Sequence, residues 1–189
     1  ERICRQFHLA LQSGSTTVLD RMKRGYTAEQ FYALMVKLRA AFGEGLALTT
    51  DIIAGFPGET EEEHRETLAF MEKVGFSKVH IFPYSRRSGT KADGMSGQLT
   101  NAVKSERAKE HIDKGRELEM RFLKTYIGST VSVLIEENEG GKALGCTDTY
   151  AKVAVGSHEE ENTFVNVLID SVSVQKDGEI RLLGNKINE

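Results

Sequence analysis

The chain has 189 residues, 39% of them hydrophobic and 28% charged, and a formal net charge of -3. That length can bury one large or two small cores, and the composition is that of an ordinary globular protein. No run approaches the ~18 apolar residues needed to span a membrane, the opening "ERICRQFHLALQSGS" reads as structured protein rather than a signal peptide, and a charge this close to balance names no partner class.

In chain order, "QFHLALQ" (Gln6–Gln12) reads as a short apolar strand, followed by a polar turn and a short helix with Ser15 as N-cap. Thr27, with Gln30 three residues on, forms a capping-box signature. The helix behind it places Phe31, Leu34, Met35, Leu38 and Phe42 at helical spacing and stops at Gly43 and Gly45. "LALTTDIIAGF" is the next strand, and its apolar run Ile52–Phe56 predicts burial on both faces. "TEEEHRETLAFMEKVGF" is a helix capped by Thr60, with Glu63 in the box position and acid in its first turn, where the helix dipole favours negative charge. "SKVHIFPYS" is a third strand, so the order predicts parallel βαβαβ. A Gly-rich basic linker, "RRSGTKADGMSGQLTN", leads to a long charged helix from about Asn101 to Tyr126.

After Gly128 short β-rich runs alternate with Gly, Asn and Asp, which predicts a small all-β barrel of about five strands. The fold class is therefore α/β plus small all-β, with domains at 1–127 and 128–189. Charge divides at the same place. Residues 128–189 carry 5 basic and 11 acidic side chains, a net of -6, while residues 1–127 carry a net of +3.

"LTTDIIAGFPGETEEE" is the stretch most open to a chemical reading. It is not a P-loop, because Gly55 and Gly58 are too close and Glu59 stands where a cation is needed. It lacks the dinucleotide fingerprint as well. It is a strand-to-helix joint, and in parallel α/β folds ligands sit outside the carboxyl ends of the strands. "LQSGS", "IIAGFPGE" and "FPYSRRSGT" all end at that edge, which makes a shared ligand site there the leading expectation. The five histidines show no metal-ligand spacing, no nucleophile triad is visible, and no catalytic or metal-ligating residue is assigned. Cys4 and Cys146 form no ligand or redox motif and read as thiols in a reducing, cytoplasmic setting. "RMKRGY" and "YSRR" combine cations with an aromatic, as single-stranded nucleic acid contacts do.

Together these segments resemble the radical SAM methylthiotransferase family that modifies tRNA. "HLALQSGSTTVLDRMKRGYTAEQF", "LTTDIIAGFPGETEEE" and "HIFPYSRRSGTKA" are similar to three ordered family motifs, the second with one substitution at Ala54. The resemblance covers almost the whole chain. It implies the C-terminal part of a TIM-like (βα) radical-SAM half barrel followed by a five-stranded TRAM β-barrel, an RNA-binding module. "FPYS" with "R-x-G-T" is most similar to the branch acting on threonylcarbamoyladenosine at tRNA position 37. The isopentenyladenosine branch, the branch acting on a ribosomal protein, and a non-catalytic RNA-binding module stay open as alternatives.

The resemblance further implies S-adenosylmethionine and two 4Fe-4S clusters as cofactors, with tRNA as partner. The family's C-x-x-x-C-x-x-C motif and cysteine-bearing N-terminal domain have no counterpart here. The chain by itself is therefore expected to be inactive, and to pair with a missing N-terminal part or, through an open barrel edge, with a second copy by dimerisation or domain swapping. No membrane partner is expected. Carried over by position, the cofactor shelf falls on Gln12, Ser13, Asp51, Ile53, Gly55, Phe82 and Tyr84. RNA contacts fall on Arg24, Tyr84, Arg86 and Arg87, with Tyr84 stacking. Ser88 and Lys91 stand where the family usually has Pro, and the acidic barrel departs from the basic surface that phosphate binding needs. Lys142, Lys152 and Arg181 are its candidate basic patch.

Overall fold

The apolar alternation before Gly55 folds as the centre of a three-stranded sheet. In the computed structural model, which describes residues 3–187, β1 (Gln6–His8), β2 (Ala47–Ala54) and β3 (Lys78–Pro83) lie in spatial order β1-β2-β3. β2 and β3 are parallel, in a register that pairs Asp51 with His80 and Ile53 with Phe82. The order has no reversal of the doubly wound kind. Two helices, α1 (Thr16–Arg21) and α2 (Ala28–Phe42), connect β1 to β2, and α3 (Glu61–Val74) connects β2 to β3. Both capping boxes form as the sequence predicts, Thr27 with Gln30 and Thr60 with Glu63. Ser15 occupies the N-cap of α1 without bonding the helix backbone, since its hydroxyl meets Thr17 Oγ1 at 3.0 Å.

The first strand is shorter than its apolar run. The carbonyls of Ala10 and Leu11 accept hydrogen bonds from the Tyr26 hydroxyl, at 2.8 and 3.1 Å, and the Leu11 amide donates to Thr50 Oγ1. Those backbone groups are diverted from the ladder. The chain meets β2 again as a single parallel bridge between Gln12 and Ile52, with Gln12 at φ 76°.

Burial on both faces of β2 does not occur. Leu48, Thr50, Ile52 and Ala54 are buried, whereas Thr49, Asp51 and Ile53 are partly open. Successive strand residues point to opposite faces, so Asp51 and Ile53 share the open face with His80 and Phe82 of β3. Phe82 is 53% exposed there.

The long helix α4 (Asn101–Lys124) buries Lys104, Arg107, Ala108, His111, Gly115 and Leu118, a single stripe at helical spacing. After it, β4 (Thr130–Glu139), β5 (Lys142–Cys146), β6 (Lys152–Val155), β7 (Phe164–Val174) and β8 (Ile180–Lys186) close into a barrel of order β4-β5-β6-β8-β7. Its pairs are antiparallel except β6 with β8. The interior takes alternate residues, including Val133, Ile135, Val153, Val155, Val167, Ile169 and Leu182.

The chain divides into two compact units, Phe7–Leu118 and the chain from Glu119 onward with the segment up to Gln6. The division falls inside α4 rather than at 127/128. The last turns of that helix explain the difference. Leu123 belongs to the barrel core, and the Tyr126 hydroxyl meets Thr149 Oγ1 at 2.7 Å. Among the described residues no helix is long and apolar enough to cross a membrane.

Candidate functional site

Gln12, the carboxyl end of β2 and the segment following β3 together line a cavity of about 500 Å³. Asp51 and Ile53 reach it because they sit on the open face of the sheet. Phe82 lies beside Ile53 in register, and Tyr84 and Arg87 follow where β3 ends. Its walls are mainly apolar with a few polar groups, which is the make-up of small-molecule sites. On the same face His8 Nε2 lies 3.4 Å from Asp51 Oδ2, and its Nδ1 lies 3.0 Å from Thr49 Oγ1. Tyr84 is fixed by its amide, which donates to the Ala54 carbonyl at 2.8 Å, and by its ring, edge-on to Phe56 at 5.4 Å. Its phenol oxygen is buried and has no hydrogen-bond partner.

Behind the cavity, the "GFPGE" turn is closed by its own side chain. Glu59 is buried, and its Oε1 accepts from the Gly55 amide at 3.1 Å. The Gly58 amide donates to the Gly97 carbonyl at 2.8 Å, and the Glu59 amide to the Phe56 carbonyl at 2.9 Å. The amides that a phosphate would need are thus already engaged, a stronger reason against a phosphate loop than glycine spacing. Arg107 of α4 donates to both the Glu59 carboxylate and the Glu59 carbonyl, each at 2.9 Å. Burial pushes the Glu59 carboxyl up from its ordinary value, and the Arg107 guanidinium works against that rise.

Lys104, one turn earlier, packs its stem where a Gly55 side chain would stand. A Cβ there would lie 2.5 Å from Lys104 Cγ, and Gly55 also has φ 75°. The Lys104 ammonium lies 5.9 Å from the centre of the Tyr84 ring. Gly55 therefore admits α4, not a ligand, to the back of the turn. The sequence reading missed Lys104 and Arg107 because a lysine and an arginine in a mixed-charge helix look solvated.

Ser13 is also absent from the cavity lining. Its hydroxyl is buried against Thr67 Oγ1 at 3.2 Å and accepts from the Ser15 amide. Gly14 beside it packs so closely on α3 that a Cβ would lie 2.6 Å from Phe70 Cβ. This turn therefore braces the site from α3. A further brace is the pair Arg21–Glu63, with contacts of 2.6 and 2.8 Å. The hydrogen bonds from Arg21 hold the Glu63 carboxyl down to about 2.

Of the residues expected to touch RNA, Arg87 alone lines the cavity besides Tyr84. Arg86 is held by Asp93, through its carboxylate at 2.8 Å and its carbonyl at 3.0 Å, and so braces the 86–93 loop. Arg24 is exposed in the turn after α1, away from the cavity lining. The Tyr84 ring is already flanked by Phe56 and Lys104, so it does not stand free as a stacking platform. In the barrel, Lys152 and Arg181 are both engaged by Glu179, which takes two of the three cations from the candidate patch.

Residues 1–71 match the family model of the Radical SAM superfamily. Along more of its length, the chain is 41% identical over 165 residues to "Threonylcarbamoyladenosine tRNA methylthiotransferase MtaB" of Bacillus subtilis, covering 85% of this chain and 36% of that protein. The chain is a relative of the radical SAM tRNA methylthiotransferases. It is also 36% identical to "tRNA-2-methylthio-N(6)-dimethylallyladenosine synthase" of Acetivibrio thermocellus, over 96% of the chain and 36% of that protein. The counterpart of the same name from Desulfotalea psychrophila is 43% identical, over 76% of the chain and 32% of that protein. The chain thus spans about a third of the length of these relatives.

The superfamily implies S-adenosylmethionine and iron-sulfur chemistry. The cavity fits the adenosyl part of such a cofactor. Ile53 and Phe82 offer apolar surface for a base, and Gln12 and Asp51 offer polar groups for a ribose. For a cluster the residues present do not fit. Cys4 and Cys146 both lie in the barrel unit, and among the described residues no group of three or more metal-binding side chains gathers. An iron-sulfur cluster needs a set of thiolates.

Proposed function

We propose that the chain is part of a tRNA methylthiotransferase that adds a methylthio group at C2 of threonylcarbamoyladenosine 37. On this reading residues 7–118 form part of a TIM-like radical-SAM half barrel and the five-stranded barrel is a TRAM domain. The observation that carries the reading is the convergence of Gln12, Asp51, Ile53 and Tyr84, from three separate motifs, on one cavity at the strand ends. Gln12 and Asp51 hold the ribose of S-adenosylmethionine, Ile53 and Phe82 its adenine, and Arg87 stands at the rim toward RNA. When bound, the cofactor supplies a radical and a methyl group. The chain's own residues bind it, orient it and exclude water.

The two 4Fe-4S clusters of such an enzyme would be held by chain not present here, so the piece alone is inactive. That further chain, or a second copy, covers the open sheet face bearing Phe82, since parallel sheets are normally covered on both faces. The two free thiols suit a cytoplasmic setting. A second reading has specific support. The 43% identity to a dimethylallyladenosine enzyme favours isopentenyladenosine 37 as target. Mass spectrometry of tRNA nucleosides from cells lacking the gene separates the two. Loss of 2-methylthio-threonylcarbamoyladenosine with the isopentenyl product intact is expected. The opposite pattern transfers the assignment to the second reading, and no change in either removes both.

A further inference from the structure

The barrel unit carries a cavity of about 590 Å³ that shares no lining residue with the cofactor cavity. It stands on the outer face of the barrel, since Val133 and Ile135 of β4 point into the core and Leu134 between them points out. In register, Leu134 pairs with Phe164 of β7 on one side and with Cys146 of β5 on the other. These three residues make one apolar strip across three strands, and all three line the cavity. Two large rings line it, Tyr150 at 65% exposed and Phe164 at 72%. Tyr150 is held out by a turn in which it adopts φ 60° and its amide donates to the Thr147 carbonyl at 3.0 Å. Exposed aromatic surface gathered at a cavity, unlike a scattered surface residue, marks an interaction site.

Among the residues lining the cavity Arg5 is the one cation, and Asp148 holds it at 2.7 Å. Glu136 sits at a β-bulge, where the pairing of β4 with β5 skips from Ile135 to Glu137. Bulges re-aim side chains, and the Glu136 carboxylate is turned into the cavity, 3.5 Å from Cys146 Sγ. That thiol is a weak donor, so the carboxylate keeps acceptor capacity for a ligand. A phosphate finds no uncommitted cation in this lining. The faces of unpaired bases, by contrast, stack on aromatic rings without needing one, and their edges are read by hydrogen bonds. Of the four RNA bases guanine alone presents two adjacent donors on its Watson–Crick edge, N1–H and N2–H. The two oxygens of a carboxylate can accept both together.

We propose that this cavity binds an unpaired guanine of the bound RNA, its ring stacked against Tyr150 and Phe164 and its Watson–Crick edge on Glu136, with the phosphates outside. The inference rests on the reading of the barrel as an RNA-binding module. It accounts for how a unit whose residues 128–189 carry a net charge of -6 meets RNA, through base faces and edges rather than through the backbone. The volume suits a single small ligand with apolar walls and a few convergent polar groups.

The test is an amide NMR titration of the chain with the trinucleotides UGU, UAU, UCU and UUU, the spectra also confirming that each variant is folded. UGU is expected to shift amides at residues 132–136, 146–150 and 164. It should bind at least ~5-fold more tightly than the other three, the lower end of what a bidentate base contact gives. Tyr150→Ala and Phe164→Ala should each weaken UGU at least ~5-fold, the lower end for one stacked base. Glu136→Gln should abolish the preference for UGU over UAU. Asp177→Asn, in the β7–β8 turn, removes the same charge outside the cavity and should leave that preference intact. Affinity should change little with salt, whereas neutralising both phosphates of a trinucleotide would give a slope of about -1.4 in log K against log salt. That slope, equal affinity for the four trinucleotides, or no effect of the alanine variants would overturn the proposal. So would the same amides shifting with protein concentration alone, as a second copy docks. Absent binding alongside the expected loss of a tRNA nucleoside would remove this site alone. Binding as expected, in a protein whose gene loss changes neither nucleoside, would uphold the site and remove the enzyme reading.

Discussion

The two units keep opposite interiors. In Phe7–Leu118 the buried residues include Glu59, Glu63, His64, Lys104, Arg107 and His111, whereas the described buried polar residues of the barrel are Thr147 and Thr149. The two threonines need little, since a hydroxyl chain of 2.7 and 2.8 Å joins them to Tyr126. Buried charges cost several kcal/mol each unless paired, and an apolar replacement is often as stable. Their presence in one unit and not the other tracks position rather than stability. Arg107 fixes the turn behind the cavity at the strand ends, Lys104 fills the space at Gly55, and Glu63 ties α3 to α1. The barrel holds its shape by alternating apolar residues and keeps its charges outside.

That contrast can be broken at the ion pair first. Arg107→Met leaves Glu59 buried and unpaired, and should destabilise Phe7–Leu118 by about 3–5 kcal/mol. Hydrogen exchange should quicken at Met71 and Phe76 while Val153 and Leu182 stay protected. Adding Glu59→Gln to that variant, which removes the charge and keeps an acceptor for the Gly55 amide, should restore most of the loss. If the single variant costs under ~1 kcal/mol, the range of an exposed pair, the pair does not organise the unit.

Acid titrations sharpen the difference. The folded carboxyl of Glu63 lies at about 2, below its ordinary value, so its contribution is present above the unfolded value and is lost as pH falls through about 2. Glu63→Gln should therefore cost about 1–2 kcal/mol at neutral pH, discounted for solvent at its rim, and the gap to wild type should close in strong acid. His111 works in the same direction for another reason. Burial, followed by the neighbouring His64, holds it down to about 3, and both its ring nitrogens lack partners. Stability is complete above the unfolded histidine value and falls as pH drops toward about 3. His111→Leu should be neutral or stabilising by about 1 kcal/mol at pH 7, and should remove that part of the acid sensitivity. An acid sensitivity equal in the barrel amides would erase the distinction between the units.

The same contrast governs what could be read from sequence. The barrel was legible as five β-rich runs because period-two alternation is a local signal, as in Val131, Val133 and Ile135. The two capping boxes were legible for the same reason, since both partners lie within four residues. Gln12, Asp51, Ile53, Phe82 and Tyr84 came from motif resemblance, and they do line one cavity. Ser13 and Gly55 came with them but face α3 and α4, because residues adjacent in a motif need not point the same way. The stripe Lys104, Arg107, His111 and Leu118 escaped notice because its meaning lies in a partner, Glu59, that is 48 positions away. Hydrophobic periodicity does not register a buried face made of cations.

The central claim is that Phe7–Leu118 holds the adenosyl shelf and the barrel does not. An amide NMR titration of the chain with S-adenosylmethionine tests it most directly. Shifts are expected at Gln12, Asp51, Ile53 and Tyr84, abolished by Ile53→Asp, with the barrel amides unmoved. A titration that leaves those four amides in place, or that moves the barrel instead, would contradict the account.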